Sequence, residues 1–163
     1  MLKLRQFEKS DIDSLMLYLN DNEVTQYITD AIPQPYTVSD ARWWVENNES
    51  SSLTKAIEYN KELVGCISAK VGELEYSCGA ELGYWIGRRF WNNGIATEAV
   101  RVFTDMLFKY TDLVRLFVSV VSMNGASIRV LEKNGYLYEG TLRKASCKNG
   151  QYFDEHLYSK ISE

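Results

Sequence analysis

Between Tyr84 and Tyr110 an apolar run leads through an asparagine- and glycine-containing loop into a periodic segment. The loop is Asn92-Asn93-Gly94, and the apolar residues after it recur at the spacing of one helix face: Ile95, Ala99, Val102, Phe103, Met106 and Tyr110. A helix that begins directly after such a loop points unpaired backbone N–H groups at one place. Its dipole adds partial positive charge there. The start of this helix therefore suits a phosphate group.

The same loop has a second interpretation, in which it binds nothing. Asparagine and glycine tolerate left-handed backbone, and that property alone selects them for a turn. The loop also matches neither of the two common nucleotide-binding motifs, because it contains neither G-x-x-x-x-G-K-[ST] nor G-x-G-x-x-G. The residue pattern taken alone leaves both interpretations open.

The composition bounds the class of protein. A chain of 163 residues with 45% hydrophobic and 25% charged residues is typical of one globular domain, which we expect to span residues 1–163. A net charge of −4 argues against nucleic-acid binding and mildly favours cationic small substrates.

Three cysteines and one histidine carry little chemistry of their own. Cys66, Cys78 and Cys147 are odd in number and lack C-x-x-C spacing, which predicts reduced thiols in a cytoplasmic protein. With His156 as the sole histidine, we expect no metal site and place His156 on a strand. No apolar run approaches the length of a membrane span, and the first residues lack the apolar core of a signal peptide.

The elements that would position the loop follow from periodicity. Ser10 is predicted to cap a first helix, and Thr37 and Asp40 to form a capping box before a second. Strands are predicted at 2–7, 53–59, 63–71, 80–86, 116–121, 136–144 and 151–159, and a short helix after Asn124. The order strand, helix, strand around the loop predicts a parallel pair with a right-handed crossover. The class is α/β, close to α+β, with a single mixed sheet.

The loop resembles motif A of the GNAT acetyltransferases, Q/R-x-x-G-x-G/A, which here reads Trp91-x-x-Gly94-x-Ala96. Tryptophan at the first position is similar to the branch of RimJ/RimL-like ribosomal-protein and spermidine acetyltransferases. That branch has W-G-x-G-x-A-T-E-A, and Asn92 replaces its first glycine. Asparagine also accepts positive φ, so this replacement is compatible with the loop.

A second stretch resembles motif B of the same family, N-x-x-S-x-x-v-x-E-K-x-G-F. It runs from Asn124 through Ser127 and Leu131 to Tyr136 and follows motif A at the family's usual separation. The resemblance extends over essentially the whole chain. It implies a mostly antiparallel sheet with helices on both faces, in which the central parallel strands splay apart and acetyl-CoA lies between them.

The resemblance also implies which residues hold acetyl-CoA. Its pyrophosphate would lie on the amides of the loop, and its pantetheine would pair with the backbone near Trp85 and Ile86 like an added strand. Asn124 and Ser127 would face the thioester. The implied cofactor-binding residues are Trp85, Ile86, Trp91, Asn92, Asn93, Gly94, Ile95, Ala96, Thr97, Asn124 and Ser127.

The implied reaction is acetyl transfer to a neutral amine, with Glu81, Ser127 and Asn124 as candidate catalytic residues. Many family members place a tyrosine in motif B to protonate the leaving thiolate, but Leu131 occupies that position here. Ser127 is therefore our candidate donor, although Ser127 and Asn124 also suit a helix cap. Glu81 would hold the incoming amine and relay its proton, or it is a solvated strand-end residue.

The acceptor is not named by the sequence. We favour a peptide, protein N-terminal or amino-acid α-amine, since a peptide α-amine, with a pKa near 8, is easier to deprotonate than a lysine-type amine. The alternatives are a polyamine such as spermidine, or a catalytically silent acyl-CoA-binding regulator. A monomer or a homodimer is expected, since dimers are common in the branch that the chain resembles, with no nucleic-acid or membrane partner.

Overall fold

The computed structural model describes residues 1–48 and 53–163, which form seven strands and five α-helices within these ranges. The strands are β1 (Leu2–Arg5), β2 (Thr54–Tyr59), β3 (Glu62–Val71), β4 (Gly79–Ile86), β5 (Arg115–Val121), β6 (Leu137–Lys148) and β7 (Gln151–Ile161). The helices are α1 (Ile12–Leu19), α2 (Asn22–Thr25), α3 (Val38–Asn48), α4 (Ile95–Tyr110) and α5 (Gly125–Lys133). No helix in the described part is long and apolar enough to cross a membrane.

The strands form one mixed sheet in the order β1-β2-β3-β4-β5-β7-β6. Strand pairs β1–β2, β2–β3, β5–β7 and β6–β7 are antiparallel, and β4–β5 is parallel. The predicted α/β class with a mixed, mostly antiparallel sheet is therefore confirmed. The parallel register runs from Gly79 opposite Arg115 to Glu81 opposite Phe117 and ends there, although both strands continue.

The chain divides into two compact units. The first comprises residues 1–68 and 84–99, and the second residues 69–83 and 100–163. The core of the first unit packs α1 and α3 against β2 and β3, with Phe7, Leu15, Val45, Ala56 and Leu63 among its buried residues. In the second unit the buried residues come from α4, α5 and the sheet, and include Phe103, Leu107, Leu116, Leu131 and Tyr136.

Local chemistry explains several boundaries. The predicted capping box before α3 is present, because the amide of Thr37 donates to Asp40 and the amide of Asp40 to the Thr37 hydroxyl. The β2–β3 hairpin turns on Asn60 and Lys61, both with positive φ, as tight hairpins require. Gly135 follows α5 with φ of 75°, the usual conformation just past a helix end.

Two expectations about helices are wrong. Ser10 does not cap α1, because a 3₁₀ turn at Lys9–Asp11 precedes the helix and Glu8 and Asp11 cap that turn instead. Asp11 is held there by a buried bidentate ion pair with Arg5 of β1. Tyr110 is exposed, since it is the last residue of α4 and lies beyond the buried row of that helix.

Candidate active site

The predicted phosphate loop links β4 to α4 and belongs to the first unit. Asn92 and Gly94 adopt positive φ of 62° and 74°, so the replacement of the branch's glycine by Asn92 preserves left-handed backbone there. A Cβ added to Gly94 would meet no atom within 4 Å. Glycine at this position therefore reflects backbone conformation and leaves open space in front of the loop.

The start of α4 follows the loop directly. Helix α4 begins at Ile95, and the amide of Glu98 donates to the carbonyl of Gly94. The amides of the first turn, in Ile95, Ala96 and Thr97, therefore point out of the helix at its positive end. Asn92, Asn93 and Gly94 are exposed, so a ligand can reach them.

Side chains on the loop fix its path. The indole N–H of Trp91 donates to the carbonyl of Ile86 at 2.7 Å. The amide group of Asn93 donates to the carbonyls of Phe90 and Trp91 at 3.1 and 3.0 Å. These contacts close the segment between β4 and α4 into a compact turn, in which Trp91 stays 38% exposed.

Glu81 belongs to the second unit and lies where the parallel pairing of β4 with β5 ends. The residue is exposed as a whole, yet its surroundings raise the pKa of the carboxyl above its usual range. Partial burial of the carboxyl is the main cause, and the negative charge of Glu155 adds to it, while Lys70 opposes it. A carboxyl with a raised pKa is a better base than an ordinary glutamate.

The motif B residues lie at the start of α5, also in the second unit. The side-chain oxygen of Asn124 accepts from the amide of Ser127 at 3.2 Å, so Asn124 is the N-cap of the helix. Ser127 is half-buried in the first turn, and Leu131 one turn later is completely buried. Leu131 therefore belongs to the core, and its side chain cannot donate a proton.

The aromatic residues before and within α3 divide between the core and the surface. Tyr36 is 5% exposed in the core of the first unit, and Trp44 packs edge-on against Phe7 with ring centroids 6.0 Å apart. Trp43 is 62% exposed. His156 lies on β7, as predicted, with Tyr138 edge-on to its ring.

Sequence reasoning missed Tyr18 and Gly87, which touch each other beneath the turn that leads into the loop. In the sequence, Tyr18 is one more apolar position of α1, and Gly87 is one more glycine near a turn. A tyrosine that is buried on a helix usually has a partner for its hydroxyl, and the sequence does not indicate that partner.

Comparison with known proteins shows the family of this chain. The family model described as "Acetyltransferase (GNAT) domain" matches residues 1–137. The uncharacterised N-acetyltransferase p20 of Bacillus licheniformis is 30% identical over 98% of this chain and 92% of its own length. A crystal structure of a GNAT-family acetyltransferase from Bacillus anthracis is 27% identical, with a TM-score of 0.86 over 98% of this chain and 94% of that one.

Two relatives from Escherichia coli carry names that specify an acceptor. The ribosomal-protein-serine acetyltransferase is 31% identical over 61% of this chain and 55% of its own length. The L-amino acid N-acetyltransferase AaaT is 29% identical over 62% of this chain and 68% of its own length. The chain therefore belongs to the GNAT acetyltransferase family, in the neighbourhood of the ribosomal-protein acetyltransferases, and is an acetyl-CoA-dependent N-acetyltransferase.

Proposed function

We propose that this enzyme acetylates the α-amine of a peptide, a protein N-terminus or a free amino acid. The names of the two Escherichia coli relatives support this acceptor class, because they specify L-amino acids and a ribosomal-protein serine. The observation that carries the proposal is the position of Glu81 at the end of the β4–β5 pairing, with a carboxyl whose pKa is raised.

Glu81 is proposed to bind the incoming ammonium group and to accept its proton through water. A glutamate is a modest base even with a raised pKa, so it favours the acceptor that is easier to deprotonate. A peptide α-amine with a pKa near 8 is easier to deprotonate than a lysine-type amine with a pKa near 10.4, by roughly 3 kcal/mol at 1.36 kcal/mol per pKa unit. This difference supports an α-amine over a polyamine.

Acetyl-CoA is proposed to place its pyrophosphate on the amides of residues 92–97, with Trp91 beside them. Its pantetheine is proposed to follow the backbone of Trp85 and Ile86 as an added strand. The Ile86 carbonyl already accepts from the Trp91 indole. A carbonyl oxygen has two lone pairs, so this contact leaves room for a second donor.

The reaction proposed for this site is a direct transfer. The amine nitrogen attacks the thioester carbonyl carbon, the carbon–sulfur bond breaks, and the amine proton leaves through Glu81 and water. Ser127 is proposed to donate a hydrogen bond to the departing thiolate, because Leu131 cannot. Asn124 is proposed to support this role by capping the helix that carries Ser127, in addition to facing the cofactor.

The test is release of free CoA with a panel of acceptors at pH 6 to 9, comparing the wild type with Glu81→Gln. Glu75→Gln, an exposed glutamate in the turn before β4, is the matched control for loss of one charge. We expect a peptide N-terminus or an amino acid to be acetylated faster than spermidine. We also expect Glu81→Gln to lower kcat/KM by roughly a hundred- to ten-thousandfold, the scale of one general base.

The pH profile identifies the group. The ionised form of Glu81 increases as pH rises through its raised pKa. In profiles extended below pH 6, wild-type kcat/KM should therefore have an acidic limb in addition to the limb of the acceptor amine, which both enzymes share, and Glu81→Gln should lack the additional limb. Full activity of Glu81→Gln on every accepted amine would remove the catalytic role. Faster turnover of spermidine would make the enzyme a polyamine acetyltransferase, and no CoA release with any amine would indicate an acyl-CoA-binding regulator.

A further inference from the structure

Gly87 is the residue where β4 turns toward the phosphate loop. Its φ of −57° and ψ of 136° are accessible to any residue, so backbone conformation does not explain the glycine. A Cβ at this position would lie 2.7 and 2.8 Å from Cδ1 and Cε1 of Tyr18, which is closer than atoms approach. The ring of Tyr18 therefore packs directly on the backbone of Gly87.

The hydroxyl of Tyr18 anchors this contact. Tyr18 is 3% exposed, and its Oη donates to the carbonyl of Leu63 at 3.1 Å. The amide of Gly87 donates to the carbonyl of the next residue, Val64, at 2.8 Å. Two successive carbonyls of β3 therefore bind Tyr18 and the glycine that its ring contacts.

The same hydroxyl accepts from Nη2 of Arg89 at 2.9 Å. The guanidinium lies over the rings of Phe90 and Tyr18, 4.7 and 5.7 Å from their centroids, and forms an ion pair with Glu62. Ring stacking, the hydroxyl and the carboxylate together define one position for this side chain. Arg89 is therefore part of the turn's support.

This support continues into the phosphate loop through a short series of contacts. The amide of Phe90 donates to the carbonyl of Gly87 at 2.9 Å, and Asn93 donates to the carbonyl of Phe90. Asn93 directly precedes Gly94. A shift of the turn at Gly87 would therefore move the amides at the start of α4.

We propose that Tyr18 is a positioning residue for acetyl-CoA, which holds the turn at residues 87–90 so that the loop amides meet the pyrophosphate. This inference depends on the proposed binding of the pyrophosphate at residues 92–97. Tyr18 does not touch the cofactor in this scheme and acts through Gly87 and Arg89.

The first test is Tyr18→Phe, which keeps the ring and removes both hydroxyl contacts. The matched control is Tyr136→Phe, which removes another buried hydroxyl, hydrogen-bonded to Thr104 at 2.7 Å in the second unit. We expect Tyr18→Phe to raise KM for acetyl-CoA by roughly three- to thirtyfold, the scale of one or two lost buried hydrogen bonds, with kcat nearly unchanged. The control should keep the wild-type KM.

A second substrate separates positioning from general damage. S-acetylpantetheine lacks the pyrophosphate, so Tyr18→Phe should leave its kcat/KM unchanged relative to the wild type. An equal loss with both thioesters, or an unchanged KM for acetyl-CoA, would overturn the proposal. Gly87→Ala, whose Cβ meets the Tyr18 ring, should raise KM for acetyl-CoA further. It should leave kcat/KM for S-acetylpantetheine unchanged.

Gly94→Asp distinguishes failure of this inference from failure of the cofactor site. If Gly94→Asp loses affinity for CoA while Tyr18→Phe and Gly87→Ala keep theirs, the loop binds the pyrophosphate and Tyr18 does not position it. If Gly94→Asp also keeps its affinity, the proposed site of the pyrophosphate is wrong.

Discussion

Gly94→Asp places a negative charge where the pyrophosphate is proposed to lie, and Gly94→Asn places an uncharged side chain of the same shape there. The structure predicts that both variants fold, because a Cβ at Gly94 meets nothing within 4 Å. The φ of 74° costs a typical side chain about 1–2 kcal/mol, and less for asparagine and aspartate. The difference between the two variants therefore isolates charge.

The size of that difference follows from Coulomb's law. Two like charges about 4–6 Å apart repel by roughly 3–4 kcal/mol at an effective dielectric constant of 20. Salt reduces this repulsion at an exposed loop, since the Debye length is about 8 Å at physiological ionic strength. We expect Gly94→Asn to bind CoA within several-fold of the wild type, and Gly94→Asp to bind at least tenfold more weakly than Gly94→Asn.

Isothermal titration calorimetry with CoA at low and high salt measures this difference, and thermal unfolding checks that both variants are folded. The difference between the Asp and Asn variants should decrease as salt is added. Equal affinity of the Asp variant, the Asn variant and the wild type would refute pyrophosphate binding at this loop. Equal weakening of both variants would indicate that loop shape, and not charge, is responsible.

Two further predictions concern Ser127 and Glu139. Ser127→Ala should lower kcat by roughly ten- to a thousandfold, the scale of one lost hydrogen-bond donor to the departing thiolate, with little change in acetyl-CoA affinity. Normal turnover would show that Ser127 is only a residue of the helix cap. The bidentate ion pair with Arg115 and a hydrogen bond from Ser159 lower the pKa of Glu139 to about 2. Because the folded-state pKa of Glu139 is below its ordinary value, this ion pair stabilises the fold above about pH 5, and the contribution is lost as pH falls toward 2. The free energies of unfolding of wild type and Glu139→Gln, measured in urea, should therefore differ at pH 7 and converge in acid.

The features determined by the sequence alone are those made by neighbouring residues. The helix after the loop, the left-handed asparagine and glycine within it, and the capping box at Thr37 and Asp40 all depend on contacts within a few positions. Periodicity was sufficient to predict strands such as β5, whose buried residues alternate, and β3, which is buried along most of its length. The two motifs are equally local, which is why residue types and spacing were enough to recognise the family and its chemistry.

The tertiary structure decided the features that join distant segments. Asp11 caps a 3₁₀ turn together with Glu8, and its carboxylate is also bound by Arg5 of β1, a partner that the sequence around Ser10 does not indicate. Arg89 and Tyr18 are 71 positions apart, and their hydrogen bond depends on how α1 packs on β3. The raised pKa of Glu81 likewise requires its burial and the charge of Glu155 on another strand. Burial and charge proximity arise from packing of the whole chain, and residue type and spacing do not contain them.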